Sequence, residues 1–417
     1  MTGERRLPHP AWMTRPPWNV TLRLLAPGDI RATPTQLDGF RSFARTGDPR
    51  ADDVAAMIAR MPGQSGRRLF ERALHQGITA IDDPPPELAA LFAEVETVPY
   101  WVDPDLLDRG ARAVGRTGLL GLAMVMPCAS LYGGYLASRA NKTLVRTGDL
   151  DGMAPRRLAE TASWWVDVTT PGALGRFEDG FKNTLRVRVM HAQVRAAMHA
   201  RDDWDHDAWD APINQIQLTG TLLLFSQVML LGSRALGLRF SRADTGAVLH
   251  LWRYVGHLMG VRTELLPATE VDAWRLLWLE AATEFMPDDD SRRLARSLEN
   301  AAAPLLLPHR LKASPLARRG LTNYLMSYSR IVLGKRNADF LGTPDSKPFQ
   351  AAVLATSAAV FALETVRGLV PGGTRLAHRI GHRRRTRLIR RMVREQHGDR
   401  SHSRYDSLRR RQGAAMR

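Results

Sequence analysis

His191 falls on the stripe Val187, His191, Val194, Met198, and this spacing of four, three and four places its imidazole among apolar side chains on a helix predicted over residues 181–200. A histidine there is either a core residue satisfied by one partner or a ligand. Arg188 and Arg195, three before it and four after it, project to the same side of the helix. Two guanidiniums beside an apolar stripe are costly unless an anion meets them. Haem would meet both needs, since its large apolar ring takes an imidazole on the iron and its two propionates take arginines. Glu178, Asp179 or another acid pairing the arginines structurally serves equally well, and on this helix alone both readings stand.

A second predicted helix, over residues 155–166, carries Arg157, Glu160, Thr161 and Trp164 on one face by the same three-and-four spacing. Such a face suits the wet side of a mostly apolar pocket, or plain solvent. Other constellations point to structure before chemistry. Asp203, Asp205, His206, Asp207 and Asp210 lack the turn glycine and closing glutamate of a calcium loop and read as a hydrophilic connection. His250 and His257, seven apart beside Trp252, Tyr254 and Leu258, read as core packing. The sequence has no His-Glu-x-x-His, no phosphate-cradling Gly-x-x-x-x-Gly-Lys and no Gly-x-Ser-x-Gly elbow. Cys128 is the one cysteine, which excludes an internal disulfide, a thiolate zinc cluster, a cysteine-ligated iron-sulfur centre and covalent c-type haem.

The elements that must position these residues are helices. Of 417 residues 44% are apolar, Ala, Leu and Arg fill long stretches, and alternating strand-like runs are scarce, so the fold class expected is all-α, a single helical domain. Composition separates a Pro-rich arm (1–35), a helical body (36–372) and an arginine-rich tail (373–417). Residues 117–137 are apolar but interrupted by Pro127 and Gly133-Gly134, and residues 351–363 are too short to cross a bilayer; both are expected to be core helices. Residues 1–20 have no continuous apolar run, so neither a secretory signal nor an anchor is expected there, and a cytoplasmic location follows.

From Arg375 onward there are 15 arginines and three acids (Glu395, Asp399, Asp406), a balance of +12 out of the chain's +17. With Leu376, Ile380, Leu388, Ile389, Met392 and Val393 interleaved, the tail is expected either to lie as an amphipathic helix on an anionic membrane, at its cytoplasmic face, or to serve as a solubilising extension. A nucleic-acid role through Arg383-Arg384-Arg385 and Arg409-Arg410-Arg411 has less support, because the tail lacks a folded reader and Tyr405 is its one aromatic residue.

Five segments in order carry a family resemblance: Val98-Pro99-Tyr100-Trp101-Val102-Asp103, Arg157-Leu158-Ala159-Glu160-Thr161, residues 188–195, Pro212-Ile213-Asn214-Gln215, and residues 252–260 followed by Leu265-Leu266-Pro267. Together, over roughly residues 50–370, they resemble the oxygenases grouped with latex clearing protein and MpaB. The resemblance implies a non-covalent b-type haem in a globin-like helical core, and an oxidation using dioxygen on an apolar, isoprenoid-like or aromatic substrate. It implies His191 as the proximal iron ligand with Arg188 and Arg195 flanking it, Arg157, Glu160 and Thr161 on the distal side, and Thr221 lining the pocket. Glu160 stands where the rubber-cleaving branch has a lysine, and a carboxylate is a poorer cap for iron and a better acid or base. That departure argues against rubber as the substrate. A haem-binding protein without turnover is the alternative that the residues leave open.

Overall fold

The computed structural model describes residue 14 and residues 19–148, 150–307, 311–312 and 314–397. Among them the secondary structure is helical, with no strand beyond an isolated bridge between Ala137 and Phe285. Proline and side-chain caps set many of the starts. Asp48 caps α1 (Pro49–Arg60), Pro86 opens α2 (Pro86–Glu96) and Asp103 caps α3 (Pro104–Arg116). The centre of the chain supplies α4 (Leu150–Val168), α5 (Asp179–His199), α6 (Gln215–Leu223), α7 (Arg242–Leu258) and α8 (Glu270–Thr283). Then come α9 (Asp289–Leu306), α10 (Pro315–Leu341), α11 (Lys347–Leu369) and α12 (Gly373–His397).

Helices α4 and α5 form an antiparallel hairpin. Asn183 donates to Asp167 at 2.8 Å, and the Trp164 indole donates to Thr184 Oγ1 at 3.2 Å. Both residues of that second contact lie two turns from the groups of interest: counting back along α4 reaches Arg157, counting on along α5 reaches His191. The hairpin register therefore sets Arg157 at about the level of His191, and Glu160 and Thr161 about a turn away, level with Arg188 and Val187. Aromatic contacts fasten the hairpin to the core. Trp252 of α7 stacks on Phe225 at 5.5 Å, and Trp164 meets both edge-on at 5.9 and 5.7 Å.

Three expectations are corrected. Pro127 does not break the apolar segment around it. The chain bends by 88° after α3, at Gly118 with φ +56°, and residues 121–131 then run as a π-helix through Pro127. The widened turn spares the proline ring the carbonyl clash it would meet in a tight α-helix. Residues 351–363 are not core: they belong to the 23-residue α11, of which only Val353 and Glu364 are buried. Nor is the tail a detached appendage at its start, because α12 packs on α3, α4 and α11. Ile389 and Met392 are buried in the main core and Leu388 and Val393 pack against it, so these four cannot lie under a membrane. Residues 398–417, including Arg409-Arg410-Arg411, lie outside the described residues, as does most of the arm before Asn19.

Arg385 fixes α12 in place. It is fully buried, donates to Thr169 Oγ1 at 2.8 Å and to the Thr169 carbonyl at 2.5 Å, and lies over the Trp165 ring at the end of α4. Burial pushes its pKa down to about 10. Arg385→Ala removes two charge-assisted hydrogen bonds and leaves a cavity, and is expected to cost roughly 2–4 kcal/mol. Urea unfolding of the two proteins checks this; an unchanged midpoint would make α12 energetically separate from the body.

Candidate functional site

His191 is half-buried on α5, and its Nδ1 is buried without a hydrogen-bond partner among the described residues. Burial, with the Arg195 charge acting in the same direction and Asp48 opposing, pushes its pKa down to about 4. At neutral pH the ring is an uncharged imidazole with a nitrogen lone pair available, the form in which histidine ligates metals.

The two flanking arginines are held by the protein's own acids. Arg188 is buried, with Nε donating to Asp48 at 2.7 Å and Nη2 donating to Asp48 at 3.0 Å and Glu94 at 2.8 Å. Arg195 pairs with Asp52 at 2.7 Å and donates to the Ile213 carbonyl at 2.7 Å. The anions expected beside His191 are thus carboxylates of α1 and α2, which fasten those helices to α5. Glycine is required where the backbone closes over this cluster. A Cβ on Gly260, where φ is +78°, would lie 2.3 Å from Asp48, and one on Gly47 would lie 2.8 Å from Arg195. Gln215 completes the clamp, donating to the carbonyls of Gly47 at 2.8 Å and Gly260 at 2.9 Å and accepting from the Arg262 amide at 2.8 Å. The Pro212-Ile213-Asn214-Gln215 run is therefore a joint: Asn214 caps α6, Gln215 ties two loops, and Ile213, at φ +48°, aims its carbonyl at Arg195.

On α4, Arg157, Glu160, Thr161 and Trp164 are half-buried rather than spread over a solvated face. Arg157 donates to the Leu144 carbonyl at 3.1 Å and to Thr147 Oγ1 at 2.5 Å. Burial lowers its pKa, partly offset by Tyr135 and Glu160. Glu160 accepts from Arg156 at 2.9 Å. Thr221 is solvent-accessible, donates to the Gln217 carbonyl at 2.8 Å and lines a cavity of about 50 Å³ with Leu224, Glu280 and Phe285. The larger cavity, about 270 Å³, lies elsewhere, between Leu107, Leu174, Phe181 and Tyr254, and none of the residues singled out for chemistry lines it.

Residues 118–365 match the profile of the family described as "ER-bound oxygenase mpaB/B'/Rubber oxygenase, catalytic domain". The chain belongs to this oxygenase family. It is 25% identical over 225 residues to the Rubber oxygenase of Streptomyces sp. (strain K30), a match covering 53% of this chain and 55% of that protein, about half the length of the relative. Its fold is that of latex clearing protein LCP in the closed state, with a TM-score of 0.59 at 21% identity over 83% of this chain and 90% of the other.

The remaining polar clusters of the sequence are structural. Asp203 pairs with Arg201, Asp205 caps a short helix, and Asp210 pairs with Arg41 and Arg139. His250 accepts from the Asp103 amide at 3.0 Å, and His257 stacks on Tyr254. Sequence reasoning missed Asp48, Asp52 and Glu94. The first had a signal, since Gly47-Asp48-Pro49 is a helix start; nothing local marked the other two as partners of α5. It also missed Glu280, a buried acid on α8 whose Oε1 has no partner among the described residues. Burial and the neighbouring Glu284 raise its pKa well above the ordinary 4.5, against the pull of Arg41.

Two outcomes are expected. Asp48→Asn leaves Arg188 buried with half its counter-charge and should destabilise the fold by roughly 3 kcal/mol, read as a fall in urea midpoint. Glu280, whose pKa burial and Glu284 hold well above 4.5 in the fold, ionises in the unfolded chain near its ordinary value, so the parent loses stability as pH climbs from the ordinary carboxylate range towards that raised pKa. Glu280→Gln removes that titration, and its stability should be flatter across the same range. An identical pH slope for parent and variant would mean Glu280 is ionised in the native state.

Proposed function

We propose that the chain is a haem b-dependent oxygenase that uses dioxygen to oxidise an apolar substrate, isoprenoid-like or aromatic. The observation carrying this reading is the neutral imidazole of His191, whose buried Nδ1 has no hydrogen-bond partner among the described residues. No group of three or more His, Cys, Asp or Glu side chains able to hold a metal occurs among the described residues, so a bare ion would find too few ligands near His191. A macrocycle that brings its own four nitrogens needs only the one imidazole. These residues therefore fit a haem, and membership of the oxygenase family supports the same conclusion.

His191 would hold the haem iron, and the clamp of Asp48, Glu94 and Asp52 on Arg188 and Arg195 would hold the helix that carries it. Bound there, haem b would supply an iron able to activate dioxygen, chemistry that no side chain of the chain can provide. Arg157 makes no ion pair among the described residues with any carboxylate within 4.0 Å, so its guanidinium is the cation of this region available to an anionic group. Glu160 can hold or pass a proton at its carboxylate, with Arg156 keeping it oriented. Trp164, Phe225 and Trp252 pack as an aromatic cluster beside this face and would keep water from it.

Purified protein should show a Soret band that shifts on reduction and on carbon monoxide addition, and His191→Ala should lose it while keeping the parent's far-ultraviolet circular dichroism. Stoichiometric haem with an unchanged spectrum in that variant would overturn the assignment of His191. Oxygen uptake with terpene and phenol candidates then separates an oxygenase from a haem carrier.

A further inference from the structure

We propose that the outer face of α11 and the arginine stripe of α12 together form a docking surface for an anionic lipid bilayer. The apolar half of the surface is α11. Its side chains Leu354, Phe361, Leu363 and Leu369 are 58%, 53%, 69% and 79% exposed, with alanines filling the positions between them. From Pro348 to Val366 the helix carries one charged residue, Glu364, and that one is buried. So long an uncovered apolar face is unusual on a soluble protein and marks an interaction surface.

The charged half is α12. Arg375, Arg379, Arg383, Arg387, Arg390 and Arg394 follow a spacing of four, four, four, three and four, which aligns them on one side of the helix, and all six are exposed. None of them makes an ion pair among the described residues with a carboxylate within 4.0 Å. The two halves are continuous. Val370, Leu376 and Ile380 are exposed across the turn between the helices, so the apolar strip of α11 runs into the stretch of α12 where the arginines begin.

This arrangement selects its partner. A second copy of the chain would bring a like-charged stripe against the first, whereas lipid phosphates neutralise the stripe while the acyl region takes the leucines and phenylalanine. A nucleic acid would meet the arginines and leave the apolar face in water. The helix is long enough to span a bilayer, at about 34 Å for 23 residues, yet its other side is committed to the body. Val353 is buried, Tyr324 donates to Thr356 at 2.8 Å, and Glu364 accepts from Arg367 at 2.8 Å and from the Arg239 amide at 3.1 Å. Leaving the body would drag that carboxylate into hydrocarbon, so α11 lies in the interface with its inner face still packed. The structure moves the apolar contact expected of the tail to α11, while the arginines of α12 keep the electrostatic role.

Co-sedimentation of the full chain with phosphatidylcholine vesicles, with and without about one-third phosphatidylglycerol, tests the proposal. The expected result is at least tenfold stronger partitioning onto the anionic vesicles, weakened by salt. Phe361→Glu/Leu363→Glu/Leu369→Glu and Arg379→Gln/Arg383→Gln/Arg387→Gln should each lose about tenfold, with circular dichroism confirming that these surface variants stay folded. Parent and variants sedimenting alike, or the parent binding neutral vesicles equally well, would overturn it. So would a concentration-dependent dimer that the apolar variant dissociates while vesicles bind nothing, or retention on duplex DNA without vesicle binding.

Discussion

A guanidinium buried in the protein must find a carboxylate, and that requirement at Arg188 organises the region around His191. Asp48 meets it from the start of α1 and Glu94 from the end of α2, so two helices distant in sequence are fixed to α5 one turn from the histidine. The pair leaves no room above it, which is why the backbone closes over it at Gly260. Gln215 then bridges the loop that carries Asp48 to the loop that carries Gly260. Buried ion pairs are poor sources of net stability, because desolvation cancels most of their attraction, but a pair with several additional hydrogen bonds has a single low-energy geometry. Here that geometry fixes where α5 sits and hence where the imidazole points.

The same electrostatics explain why His191 is neutral. An imidazolium there would sit in a region of low polarity next to Arg195, and Asp48, already neutralised by Arg188, offsets this only in part. Arg195, placed to hold the helix, thus adds to burial in keeping the ring unprotonated. The charge that fixes α5 therefore also bears on the protonation of His191, and the two cannot be varied independently.

Periodicity made the helices legible, but the face of α5 that is buried carries Leu185, Arg188, Ala192 and Arg195, whereas Val187, His191 and Val194 of the expected stripe, like the Arg157 to Trp164 face of α4, are half-buried. Their partners were not legible, because Asp52 and Glu94 meet α5 only through tertiary packing, and an acid on a helix surface looks the same in sequence whether it meets water or an arginine. Pro127 misled for a similar reason: a proline breaks an α-helix, but a π-turn absorbs it when the surrounding core holds both flanks. The tail misled through composition. Fifteen arginines look like a solvated extension, yet α12 carries Arg385, Ile389 and Met392 on one side and its exposed arginines on the other. Average charge conceals that two-sidedness, which only position along the helix reveals.

The face of α4 shows what the departure at Glu160 does to the local charge. The resemblance places a lysine there in the rubber-cleaving branch, and a lysine beside Arg157 and Arg156 would make three cations on adjacent turns. Glu160 instead pairs with Arg156 at 2.9 Å, while Arg157 makes no ion pair among the described residues and feels Glu160 only at a distance. Burial already depresses the Arg157 pKa, so a further cation at position 160 would be strongly disfavoured here without an added anion. The carboxylate is therefore part of a charge balance with Arg156 and Arg157 that an amine at position 160 would upset.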